Sequence, residues 1–372
     1  MTSAAVTLLG AETKPQKASW RANATEFLLI GGVTLILFPL AWWLRALAGA
    51  DASELAVGFL TFHAAYLIND PHFSVTYLLF YEGFKQRAFG RAFSAPQRAR
   101  YLIAGVLVPL VLAGWAISGL ATGSAGTLGL LFELMFLLVG WHYTKQGFGV
   151  LTVLSARRGV TFGPLERRVI LGHCFAGWAY AWANPGSAAK LVEEKGVVYT
   201  ALAHPRGLEL IALAAFALST LALLGVLVQK WRRERRVPPL APLGGFLITV
   251  WLWTVYSSLD PLMVYVIPAL HSLQYLYFVW LLRRNQARAL EGPPWFGRPA
   301  GVRVGLLAVS ALGLGFVLFH GAPELLDAGV KEASLGPTPF FASLFAFVNI
   351  HHYFMDHVIW RRENPEMRYL RN

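Results

Sequence analysis

Charge is what this chain has least of. Asp, Glu, Lys and Arg make up 14% of its 372 residues, against roughly 25% in a soluble globular protein. That shortage excludes a string of ordinary soluble domains. Cysteine is nearly absent: Cys174 alone excludes an intramolecular disulfide and any cysteine-based zinc or iron–sulfur centre. Acids are scarcer than bases, 20 residues against 32, for a net charge of +12. On a soluble chain that excess points to nucleic acid. Here the bases flank long apolar runs, and no nucleic-acid partner is expected. The first 26 residues carry Lys14, Lys17 and Arg21 but neither the short apolar core nor the cleavage site of a signal peptide. No soluble domain, internal repeat or low-complexity tract is evident.

What is present is apolar. Hydrophobic residues reach 56% and the mean hydropathy is +0.51, so the expected fold class is all-α, a polytopic integral membrane helical bundle. A transmembrane helix needs about 20 mainly apolar residues. Ten segments qualify, near 27–46, 55–82, 101–121, 127–154, 166–185, 207–228, 240–257, 262–282, 302–320 and 338–360. If they alternate from an inner N-terminus, the inner segments hold 26 of the 32 basic residues, as the positive-inside rule requires. Both termini are therefore expected to be cytoplasmic: an N-terminal segment 1–26, one transmembrane domain 27–362 and a tail 363–372. The run Lys230-Trp231-Arg232-Arg233-Glu234-Arg235-Arg236 reads as an orientation signal, with contact to membrane lipids as a by-product. The outer connection near 186–206 is too short to fold alone.

The histidines carry the chemistry. Of ten, seven fall inside these segments among polar neighbours: His63, His72, His142, His271, His351, His352 and His357. His173 lies beside Cys174 in the fifth segment, and His204 and His320 lie in a connection and at a segment end. Ionisable groups at membrane depth cost several kcal/mol unless they face the protein interior, pair together or bind an ion. In the second segment Asn69-Asp70-Pro71-His72 predicts a kink or break at Pro71, with Asn69, Asp70 or water satisfying the freed carbonyls. In the fourth, His142, Lys145 and Gln146 share one helix face. In the eighth, His271 and Tyr275 stack at i, i+4. In the tenth, His351 and His352 point about 100° apart, so one of the two faces a given centre. His352 and Asp356 at i, i+4 form a ligand with its carboxylate orienter, and His357 is interfacial or an outer neighbour. At ~1.5 Å of rise per residue, His142, His271 and His352 lie roughly 15–22 Å from the outer face, a common level. An imidazole cluster without thiolate suits iron, zinc or copper. Polar glue between helices is the competing reading.

Pro71-His72, the mid-segment His142, His271-Ser272-x-x-Tyr275-x-x-Phe278-Val279-Trp280 and His351 followed five residues on by Asp356 together resemble the Brp/Blh family. Its members are bacterial and archaeal membrane enzymes that split β-carotene centrally into two retinals. The resemblance runs from about residue 70 to 362. It implies a non-haem iron(II) held by four histidines, carried over to His72, His142, His271 and His351. The chain departs from the family pattern at Tyr275, where the family has a second histidine. It also lacks the Gly-Ala-x-Asp after the first Pro-His, and it has an added N-terminal segment. His63 or His352 is then available as the missing ligand.

The function expected from these residues is a histidine-ligated non-haem iron oxygenase in a bacterial inner (plasma) membrane, acting with molecular oxygen on an apolar isoprenoid (carotenoid-like) or other lipid substrate. Tyr275, Asp356 and Lys145 supply hydrogen bonds or protons. A di-iron lipid desaturase or hydroxylase is an alternative, although its His-x-x-x-His and His-x-x-His-His boxes are missing. A transporter or proton-coupled carrier with Asp70, Lys145 and Asp356 as relays is the third reading.

Overall fold

The computed structural model describes residues 20–185, 188–236, 238–258, 261–289, 299–329 and 333–370. Lys14, Lys17, Lys331 and the greater part of the expected N-terminal segment lie outside them, as do residues 371–372 of the tail. The described chain is helical almost throughout: α1 (Trp20–Phe27), α2 (Thr34–Ala48), α3 (Ala50–Ala65), α4 (Asn69–Tyr81), α5 (Phe84–Phe89), α6 (Ala95–Leu102), α7 (Val108–Ala121), α8 (Ala125–Arg157), α9 (Pro164–Ala183), α10 (Arg206–Glu234), α11 (Leu240–Leu247), α12 (Pro261–Arg288), α13 (Ala300–Phe316), α14 (Ala322–Asp327) and α15 (Pro339–Ile359). Short π-helical stretches join α6 to α7 and α13 to α14 and extend α11 to Val255.

Among the described residues, five helices are long and apolar enough to cross a membrane: Ala95–Ala121, Ala125–Arg157, Arg206–Glu234, Tyr265–Arg288 and Ala300–Asp327. A sixth is added if the pair Trp20–Gly32 and Thr34–Ala48, bent by 52°, counts as one span. The bend is at Gly31, whose φ of 134° is open to glycine alone among common residues. The other expected segments differ for identifiable reasons. Segment 55–82 is two helices, 240–257 is short, and 166–185 and 338–360 carry charged or imidazole side chains along their length. Outward-facing Ile36, Trp43, Phe59, Ile211, Leu218 and Leu221 are exposed, an apolar surface that suits lipid and not water.

The break in the second segment falls at Tyr66–Ile68, before Pro71. A proline ring clashes with the carbonyl four residues back, here Leu67, so the preceding helix cannot continue through it. Pro71 instead sits in the first turn of α4, where its missing N–H has no partner to lose. A second departure is a hairpin in the connection after α9. Strands β1 (Leu191–Glu194) and β2 (Val197–Thr200) pair antiparallel through Lys195 and Gly196, both at positive φ, as a two-residue I′ turn requires. The connection folds by docking: Val197 and Tyr199 are buried, and a Cβ on Gly129 of α8 would lie 2.6 Å from the Tyr199 ring.

Helices α4, α8, α12 and α15 converge at the centre. Val75, Leu79, Tyr275, Val279, Met355 and Val358 form one buried cluster among three of them. Leu131, Met135, Ile350 and Tyr353 form another between α8 and α15. In the basic run, Lys230 is buried, its Nζ donating to Thr161 O at 2.6 Å and to Glu234 at 2.9 Å. Part of that charge is therefore spent inside the protein.

Candidate metal centre

His72, His142, His271 and His352, one from each central helix, are buried, and each offers a ring nitrogen within 4.8 Å of the others. Local structure explains the convergence. The helix start at Asn69 puts His72 in the first turn of α4. His142 sits at the middle of α8, which Ser124 caps by accepting from Thr127 N at 3.2 Å. Gln146, one turn after His142, donates to His271 O at 3.2 Å and to Gln274 Oε1 at 2.7 Å, locking α8 to α12. Gln274 in turn donates to Ile30 O at 2.5 Å, at the Gly31 bend.

The nitrogen geometry decides what the group can do. His142 Nε2 lies 3.1 Å from His271 Nε2 and 3.3 Å from His352 Nε2. A single ring nitrogen, either one lone pair or one N–H, cannot make two full hydrogen bonds to its neighbours. A metal ion relieves the conflict. With metal–nitrogen bonds of ~2.0–2.1 Å, adjacent ligand nitrogens stand roughly 3.0–3.4 Å apart. His72 Nε2 is buried without a hydrogen-bond partner and is free to serve as a ligand. The four-histidine group can hold a metal ion.

No family model, curated protein or solved structure matches this chain. Ser272 Oγ donates to Asn69 Oδ1 at 2.9 Å, which leaves its oxygen to accept from His72 Nδ1–H at 3.1 Å. That relay fixes the tautomer, so the free lone pair is on Nε2. His271 Nδ1 and His352 Nδ1 have no such partner. Ser272→Ala should then weaken metal binding by about tenfold through His72 alone. Competition against a chelator reads this directly, and an unchanged affinity would remove the relay from the site.

The remaining expected residues divide. Asp356 belongs to the centre, though not as an orienter on the outer nitrogen of His352. Its Oδ2 faces the inner nitrogens, 3.7 Å from His352 Nε2 and 3.8 Å from His142 Nε2. Its Oδ1 accepts from Tyr275 OH at 2.7 Å and from Trp360 Nε1 at 3.2 Å. Tyr275 OH also meets Thr76 Oγ1 at 2.7 Å, and its ring packs edge-on to His72.

His351, expected as a ligand from the family resemblance, does not join the group. Its Nε2 donates to Ala104 O at 2.9 Å and its Nδ1 accepts from Tyr77 OH at 3.0 Å, which uses both ring nitrogens. His63 is also outside, exposed and packed among Phe59, Phe62 and Tyr66. Asp70 pairs with His320 at 2.9 Å, not with the four histidines. Lys145 Nζ leaves the stripe it shares with His142 and meets His357 Nδ1 at 2.7 Å. Gln274, Thr76 and Trp360 join the surroundings of the site without being marked as site residues by the sequence. For Gln274 and Thr76 the signal was a polar side chain inside an apolar segment beside a histidine-bearing turn. Trp360 gave none.

Proposed function

We propose that this protein is a membrane-embedded oxidoreductase in which His72, His142, His271 and His352 hold one non-haem iron(II) ion, and which uses dioxygen against an apolar isoprenoid, carotenoid-like, or another lipid substrate. The observation that carries the reading is the convergence of four buried imidazoles within 4.8 Å. An all-nitrogen set suits iron, zinc or copper. Iron is preferred because the sequence resembles the Brp/Blh enzymes over the same helices. In this reading the chain spans the bilayer ten times, with both termini cytoplasmic, in a bacterial inner membrane.

Iron(II) bound there supplies the capacity to activate dioxygen. The chain's own residues then do three things. Phe73, packed on His352 and Phe319, helps to exclude water from the centre, which strengthens every polar interaction inside it. Tyr275 and Thr76 form a hydroxyl pair that can hold or pass a proton at Asp356 Oδ1. Asp356 Oδ2 offers a negative charge to a bound cation. A two-metal desaturase-like site is disfavoured, because the described residues contain one such group.

A carrier is the second reading, favoured by the break between α3 and α4 and by the Asp70–His320 pair beside it. Elemental analysis of detergent-purified protein decides between them. Near-stoichiometric iron, with oxygen uptake on addition of carotenoid or lipid, is expected for the oxygenase. No metal above background, in folded protein that has been offered iron, would sink it, and substrate uptake into vesicles would then be measured.

A further inference from the structure

Next to the four-histidine group, toward the C-terminal ends of α8 and α15, lies a second polar cluster that the metal reading does not use. Lys145 Nζ is 2.7 Å from His357 Nδ1, and Arg361 Nη1 is 3.2 Å from His357 Nε2. Both cationic groups are donors only. A neutral imidazole has one acceptor nitrogen, so two donors aimed at its two nitrogens leave one facing an N–H. The surroundings supply little acid. Arg361 Nε reaches Glu363 Oε1 at 2.9 Å, and Arg100 binds the same carboxylate oxygen. Two guanidinium groups thus share one carboxylate. Among the described residues, Lys145 meets His357 and the face of Trp141, 4.9 Å from its ring centroid; neither carries negative charge. Trp141 also packs against the His357 ring at 5.3 Å, giving the cluster an aromatic wall.

We propose that Lys145, His357 and Arg361 bind the acidic head group of a long-chain amphipath, a carboxylate being the simplest case. An oxyanion has the acceptor capacity that the cluster lacks, and charge-assisted bonds to Lys and Arg are the strong ones. Placement supplies the rest. Lys145 follows His142 by three residues and His357 follows His352 by five, a rise of roughly 5–8 Å along the helices. The cluster lies where α15 ends, at Ile359, and in the ten-span reading that is the level of the cytoplasmic head groups. The four histidines lie within an acyl chain's length of an acid held there. This half of the inference names the substrate class of the proposed oxygenase and rests on that reading. The anion site stands on its own residues.

The test is saturable binding of radiolabelled oleate to the full chain in nanodiscs of zwitterionic lipid, with iron content measured on the same samples. One oleate per protein is expected, displaced by unlabelled oleate but not by oleyl alcohol, acetate or inorganic phosphate. Lys145→Gln and Arg361→Gln should each weaken it by about tenfold, the loss of one charge-assisted bond, whereas Lys145→Arg, as a check on folding, should retain it. Protein stripped of iron by a chelator should still bind, so failure of the metal reading leaves this result intact. Equal oleate affinity in wild type and both glutamine variants would overturn the site, and the His357 ring would then be satisfied by a neutral Lys145 accepting from Nδ1–H. Acetate or phosphate binding as tightly as oleate would overturn the amphipath.

Discussion

Alanine at His352 should abolish metal binding, while alanine at His351, its neighbour in the chain, should leave it intact. The contrast follows from helix rotation. The two side chains leave α15 about 100° apart. His352 points to His142 at 3.3 Å, whereas His351 points to Tyr77 and Ala104. Removing one of four imidazoles should cost more than the 10–100-fold typical of substitutions one layer out from a metal. His72→Ala, His142→Ala and His271→Ala should match His352→Ala, and His63→Ala should match His351→Ala. The His351 variant gives up its hydrogen bonds to Tyr77 and Ala104, about 1–3 kcal/mol of stability for each buried group left unmade, and should unfold earlier with its metal binding unchanged. Metal content and thermal unfolding, measured on all six variants, separate the effects. Loss of metal binding from His351→Ala at normal stability would restore the ligand set that the family resemblance implied.

That contrast also marks how far the sequence could be read. The membrane character, the all-α class and the four histidine-bearing segments were legible, because scarce charge and imidazoles inside apolar runs are local signals. The proline break was legible to within a few residues, since Pro71 acts on the carbonyl of Leu67. The choice between His351 and His352 was not legible: it is set by how α15 rotates against α4 and α8, and packing decides that. The π-helical stretches and the Gly31 bend were also hidden, and they move helix ends by a residue or more without an apolar period to announce them. Asp356 shows the same limit. Its spacing from His352 gave contact but not direction, so an orienter on the outer nitrogen and a charge facing the inner nitrogens read alike. Lys145 shares a helix face with His142, yet its long side chain ends elsewhere.

Asp356→Asn should have opposite consequences for loaded and metal-free protein. In the metal-free protein the carboxylate is buried with Oδ2 turned toward His352 and His142, neither of which need be charged. A buried ion without a full counter-charge is costly. Asparagine has nearly the same shape, and its Oδ1 still accepts from Tyr275 and Trp360. The metal-free variant should therefore be as stable as wild type, or more so. With a cation between the histidines the balance reverses, because the substitution removes the negative charge facing it. Affinity should then fall by about 10–100-fold. Asp356→Ala is the poorer variant, since it leaves the Tyr275 hydroxyl and Trp360 N–H without an acceptor, at about 1–3 kcal/mol each. Thermal unfolding of chelator-stripped protein and a competition titration with iron(II) give the two readings. A parallel loss in both would make Asp356 a packing residue. An unchanged affinity would mean that its free oxygen does not face the ion, and the proton-holding role proposed for Tyr275 and Thr76 would lose its connection to the site.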